Sequence, residues 1–146
     1  MADWRGVLRT NYVRTKDRDA FKAWVARFPT LTFIENDGGK VGFYNDDDGY
    51  VPSSKVEGVV FDESGAVVDE EFVDLEGDQF WDELCEHLRE EDLLIVMQSG
   101  AENTRYVSGL SLLVTSDGIQ EKIFLSDIYD VAKEKYPDLI LTVAEY

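Results

Sequence analysis

Four turn signals containing Asn, Asp or Ser with Gly divide this 146-residue chain into runs too short for most crossover connections. Asn36-Asp37-Gly38-Gly39 separates Leu31–Glu35 from Lys40–Tyr44, and Asn45–Gly49 follows directly. Asp62-Glu63-Ser64-Gly65 stands between the short apolar runs at 56–61 and 65–68, and Ser116-Asp117-Gly118 divides residues 106–114 from 119–125. Such residues supply the positive φ angles of tight hairpins. Successive strands therefore return antiparallel, and the residues between them must supply the helices.

Those helices are marked by period. Asp17 is placed to cap a helix whose Phe21, Trp24, Val25 and Phe28 recur at i, i+3, i+4 and i+7, and Pro29 stops it. The stretch before it, residues 9–15, reads as a strand. From Gly77 or Asp78 to about Glu90, Phe80, Trp81, Leu84, Cys85 and Leu88 repeat with helical spacing. Residues 93–97 are apolar on both faces, as a central strand is. Ser126 can cap a last helix that buries Ile128, Val131 and Ala132 before Pro137, and residues 139–143 read as a closing strand. The expectation is one α+β domain over residues 1–146, a mainly antiparallel sheet with about three helices packed on it. Hydrophobic residues at 44% and aromatics at 12% are ample for a core.

Charge is distributed unevenly. Residues 1–30 carry seven bases and three acids, residues 35–92 twenty acids and three bases, and residues 93–146 eight acids and four bases; the net of −17 thus comes from the middle. Halophilic adaptation, a competing reading, spreads acids over the whole surface, and a basic first segment argues against it. Strong negative charge keeps a protein away from nucleic acid and anionic membranes and favours basic partners. The opening MADWRGVLRT lacks the apolar stretch of a secretory signal, no run is long enough to span a bilayer, and Cys85 is the only cysteine, so cytoplasm is the expected compartment.

No catalytic set emerges. Cys85 and His87, the only cysteine and histidine, lie two apart on the expected helix and point to opposite sides, so they form no dyad. Cys85 is expected in the core and His87 on a solvated flank. Two such residues are too few for structural zinc. An EF-hand register on Gly49 puts Tyr44 first and Lys55 last, and one on Gly77 puts Phe72 first, where carboxylates are required. Phosphate-cradling and nucleophile-elbow motifs are absent. The chain is expected to be non-enzymatic, without cofactor or metal; a hidden carboxylate pair in a pocket remains the enzymatic alternative.

What the sequence does offer is acid in quantity. Eight of the sixteen residues 69–84 are carboxylates. On the helix from 78, Asp78, Asp82, Glu86 and Glu90 stand four apart, with Glu83 alongside and Glu91 and Asp92 just beyond. These seven acids in fifteen residues give one negative charge per about 3–3.5 Å of helix axis, close to the about 3.4 Å between phosphates along one DNA strand. Asp69, Glu70, Glu71, Asp74 and Glu76 extend the field, with Asp46, Asp47 and Asp48 as a secondary patch. The interleaved Phe72, Val73, Leu75, Phe80 and Trp81 are expected to face the core. The basic segment at residues 5–27 can pair with these acids within one molecule or across a homodimer, and the sequence leaves both open.

The opening R-T-N-Y-x-x-x-K-D (residues 9–17), the middle S-G-x-E-x-x-R-Y-x-x-G (residues 99–109) with Arg105 and Tyr106, and the run LSDIYDVAKE (residues 125–134) resemble a group of small acidic proteins of plasmids, phages and integrative elements. The resemblance implies a setting rather than a chemistry: mobile elements use acidic proteins that occupy the nucleic-acid groove of restriction enzymes or CRISPR effectors. The expectation is a DNA-mimic-like inhibitor whose partner is a basic nucleic-acid-binding protein. The alternative is an immunity or adaptor protein for one basic partner.

Overall fold

The computed structural model describes residues 4–102 and 106–142, and the side chains among them except those of residues 59, 60, 68 and 106. Strands β1 (Trp4–Thr10), β2 (Thr32–Glu35), β3 (Val41–Asn45), β6 (Leu94–Glu102), β7 (Tyr106–Thr115) and β8 (Gly118–Phe124) form one antiparallel sheet in the order β2-β3-β1-β6-β7-β8. Strands β4 (Ser54–Phe61) and β5 (Val67–Asp74) form a separate antiparallel ribbon. With helices α1 (Arg18–Ala26), α2 (Gln79–His87) and α3 (Asp127–Lys135), the chain has the expected α+β, mainly antiparallel architecture.

Strand alternation sorts the sheet into two faces. Leu8, Thr10, Phe43, Val96 and Leu112 share one face through the β3-β1-β6-β7 register, and all are buried. Phe21 of α1 and Phe80 of α2 both meet the Phe43 ring, at 6.4 and 6.2 Å, so these two helices cover that face. Trp24, Val25, Leu84 and Cys85 complete the layer. The opposite face carries Arg5, Val7 and Arg9 of β1 beside Met97 and Ser99 of β6, and it is open.

The regular strand at the start is Trp4–Thr10, earlier than the expected 9–15. Asn11 is the reason. Its backbone N–H donates to the Ile95 carbonyl (3.1 Å), while its side chain accepts from the Ile95 N–H (2.8 Å) and donates to the Leu93 carbonyl (3.1 Å). One amide side chain thus takes the ladder bonds that continued pairing needs, and residues 13 and 15 make only isolated bridges. Gly6 also obscures the pattern. It is required because a Cβ there would run into the Asp48 carbonyl.

Asp17 caps α1 as expected, its Oδ1 accepting the Ala20 N–H at 3.1 Å. α2 stops at His87 rather than near Glu90. Leu88 is extended (φ −82°, ψ 141°) because the chain turns to bridge with Thr15, and the His87 carbonyl accepts from the Lys16 N–H. At α3 three expectations fail. Ser126 makes no capping bond; Asp127 instead accepts the Phe124 N–H at 2.8 Å. Ile128, Val131 and Ala132 are not buried, because α1 and α2 already fill the covered face. Residues 139–142 form no strand, the Leu139 N–H turning back to the Tyr136 carbonyl, and Val143 lies outside the described residues.

The β4–β5 ribbon is anchored at its base. The Val56 N–H donates to the Arg27 carbonyl, Arg27 Nε returns a bond to the Val56 carbonyl, and the Leu75 N–H donates to the Ser53 carbonyl. At the far end Asp62 closes the turn, accepting from the N–H groups of Ser64 and Ala66. Phe61, Val67, Phe72 and Val73 are exposed on it, so the expected core placement of Phe72 and Val73 fails: a two-stranded ribbon has no second layer to bury them. Phe80 is buried, and Leu75 and Trp81 pack partly against the core. Among the described residues no helix is long and apolar enough to cross a membrane.

Candidate functional site

The acidic residues fall into two groups. On α2, Asp78 at the N-cap, Asp82 and Glu86 stand four apart on one exposed side of the helix. On the ribbon, alternation places Asp69 and Glu71 on one face and Glu70 and Asp74 on the other, all exposed. Glu76 links the groups, while Glu90 and Glu91 are exposed beyond the helix end. The expected four-acid helical stripe is therefore three residues long, since Glu90 lies past the extended Leu88. A single face holding all twelve expected partner-binding acids does not form, because a pleated strand cannot show consecutive carboxylates to one side.

Two of the twelve are turned inward. Glu83 accepts from Lys55 Nζ and Gln79 Nε2 (both 2.8 Å) and from Trp24 Nε1 (2.9 Å). Burial works against its charge, yet these donors hold its carboxyl down at about 2. Asp92 accepts from the Arg14 guanidinium (2.7 Å) and the Arg14 backbone N–H (2.7 Å), and the hydrogen bond from the Arg14 side chain keeps its pKa low. Glu83 and Asp92 are thus structural, a correction to their expected partner-binding role. The ten other acids have no ion-pair partner among the described residues. Within the basic segment Arg14 pairs with Asp92 of the acidic stretch, whereas Arg18 pairs with Glu35 and Arg27 with Glu57.

Asp48 is also taken up internally. Buried Asn45 accepts from the Asp47 and Asp48 N–H groups and donates to Asp48 Oδ1 (2.8 Å), which in turn accepts the Tyr50 N–H (2.9 Å). The Asp48 carbonyl receives Trp4 Nε1 at 2.8 Å. Only Asp46 and Asp47 remain exposed as the secondary patch. This is an acidic turn, and among the described residues no group of three or more His, Cys, Asp or Glu side chains is placed to hold a metal.

Beside the α2 stripe runs a cleft of about 430 Å³ between α2 and β8, lined by Asp78, Trp81, Asp82, Cys85 and residues 118–122. A half-buried indole flanked by two exposed carboxylates suits a cation, whose charge the acids neutralise while its apolar stem or guanidinium plane lies against the ring. Cys85 is buried as expected, and burial pushes its thiol up, away from the reactive thiolate.

His87 is not the solvated flank residue the sequence suggests. Its ring packs against Phe21 (5.8 Å) and Trp24 (5.4 Å), and burial lowers its pKa from the usual value. The folded protein therefore binds this proton less readily than the unfolded chain, so stability is lost as pH falls below about 6.5. Urea titrations at pH 7.5 and 5.5 should show wild type losing stability relative to His87→Gln; parallel curves for the two proteins would refute the assignment.

No family model, curated protein or solved structure matches the chain.

Proposed function

We propose that this protein is a non-enzymatic inhibitor that presents its unpaired carboxylates to the positively charged nucleic-acid channel of a host defence nuclease or CRISPR effector complex. One observation supports the reading: Asp78, Asp82 and Glu86 line one exposed side of α2 and make no ion pair among the described residues, next to the cleft lined by Trp81 and by Lys122 of β8. Like charges four apart weaken a helix by a few tenths of a kcal/mol per pair. A surface shaped for solubility alone would interleave lysines there. The ribbon adds four exposed acids and exposed Phe72, an aromatic of the kind that anchors protein interfaces. The resemblance to acidic proteins of mobile elements supplies the setting, the cytoplasm of a host under invasion.

The inhibitor acts by occupancy, one copy per site, and binds a basic protein rather than nucleic acid. Pull-downs and cleavage assays against purified restriction and CRISPR effector complexes at about 50 mM salt test this. Binding should weaken steeply as salt rises and screening shortens to about 8–10 Å. Reversing Asp78, Asp82 and Glu86 to Lys should weaken it at least about tenfold, or ~1.4 kcal/mol. Absence of any binder in the panel, or inhibition indifferent to the triple reversal, would overturn the reading. Binding confined to one small basic toxin would favour the immunity alternative.

A further inference from the structure

The register of the sheet determines what lies on its open face. Across the strands, Arg9, Met97, Ser111 and Ile123 form one row; Val7, Ser99 and Gly109 form the next, continued by Leu125, whose N–H donates to the Gly109 carbonyl (3.0 Å). Small residues at the centre and large ones at either side make a groove of about 370 Å³, floored by Ser99 and Ser111 and walled by Val7 and Met97 on one side and Ile123 and Leu125 on the other, the Leu125 side chain lying over Gly109. An antiparallel sheet with one solvated face ordinarily turns polar residues outward. Here Val7, Met97, Ile123 and Leu125 are all about half exposed.

Among the described residues α3 leaves apolar side chains exposed. None of the α3 side chains is buried; Ile128 and Val131, one turn apart, are exposed, as are Tyr136 and Leu139 just past the helix. The groove and the helix do not meet within one molecule: no α3 residue lines the groove. Nor is the helix free to swing over it. The two residues between β8 and α3 are held by Phe124 N–H to Asp127 Oδ2 (2.8 Å), Leu125 N–H to the Gly109 carbonyl (3.0 Å) and Ile128 N–H to the Leu125 carbonyl (3.3 Å).

We propose that two copies of this chain form a two-fold dimer in which α3 of each seats in the open-face groove of the other. Two further observations select a second copy as the occupant. The first is area. The four groove walls and Ile128, Val131, Tyr136 and Leu139 are 41% to 68% exposed, an open apolar surface on the order of the ~800 Å² that one partner contributes to a standard stable interface. The second is charge: the helix and its exit carry Asp127, Asp130, Glu134 and Asp138 against Lys133 and Lys135, while the one charged side chain lining the groove is Arg9 of β1. An isologous two-fold axis uses both complementary surfaces of each copy and leaves neither exposed. The proposal is independent of the acidic surface on α2 and stands or falls without it.

Sedimentation equilibrium of the full chain, at about 0.3 M salt so that net repulsion between copies is screened, reads the outcome. The expected mass is twice 16.6 kDa. Ile128→Asp with Val131→Asp on the helix, or Met97→Asp with Ser111→Arg in the groove, should each give a monomer with unchanged circular dichroism, since all four positions lie outside the core. Mixing the two variants should bring back a heterodimer weaker than the wild-type dimer, because one of the two helix–groove contacts is then intact. A wild-type monomer at 100 µM, the result if α3 closed on its own sheet or another protein filled the groove, would overturn the proposal, as would a dimer that survives the helix substitutions.

Discussion

Phe21→Ala should cost about 3–5 kcal/mol of stability, the range for emptying a fully buried aromatic position. Phe21 has no exposed surface, and its ring lies 6.0 Å from Trp24, 6.2 Å from Phe33, 6.4 Å from Phe43 and 5.8 Å from His87. It touches α1, both strands of the β2–β3 hairpin and α2, so the cavity cannot be closed by moving one neighbour. In urea melts the midpoint should fall with little change in slope, and the thermal midpoint by roughly 10 °C or more. Phe72→Ala, on the exposed ribbon, is the control and should cost under about 1 kcal/mol. Similar losses for the two would mean that the helices do not pack on the sheet as described.

Lys55→Met should cost about 2 kcal/mol, because it removes the cation from a largely buried pair and leaves Glu83, 21% exposed, with only its Gln79 and Trp24 donors. Lys55 is 7% exposed and its ammonium sits 2.8 Å from Glu83. The acid limb of the stability curve identifies the group responsible. The Glu83 carboxyl is held at about 2 in the fold against an ordinary 4.5, so the unfolded chain takes up the proton first as pH falls. Its contribution is complete above about 4.5 and is lost as pH drops through about 2. Without Lys55 the carboxyl should titrate higher and the limb should move to higher pH; Glu83→Gln should lack that limb. A double-mutant cycle with additive effects would show that the two side chains are not coupled.

Much of this arrangement is written locally. Turn chemistry places the hairpins at residues 36–39 and 116–118, and the spacing of Phe21, Trp24 and Val25 after Asp17 places α1 to within a residue or two. What local patterns cannot reveal is what another part of the chain takes away. α2 ends early because Thr15, more than seventy residues distant, claims Leu88. Glu83 reads as one acid among many until Lys55 and Trp24 arrive from other elements. The repeat of Ile128, Val131 and Ala132 is a true amphipathic period, but the period says only that a helix has an apolar side, not that its own domain supplies the cover. The acids themselves were legible one by one. Their division between a helix side and two ribbon faces follows from the β5 pleat, which the irregular 50–68 stretch conceals.

The strand order has a consequence for biosynthesis. β1 is made more than eighty residues before β6, yet it lies in the middle of the sheet with Trp4 opposite Glu102 and Thr10 opposite Val96. At a ribosomal pace of about 5–20 residues per second, the opening segment waits several seconds or longer for the strand that completes its hydrogen bonding. Until then Val7 and Leu8 stand as an unsatisfied edge, and such distant pairing makes for slow folding. Truncation before residue 94 should leave a polypeptide unable to acquire its native structure, however good its local signals.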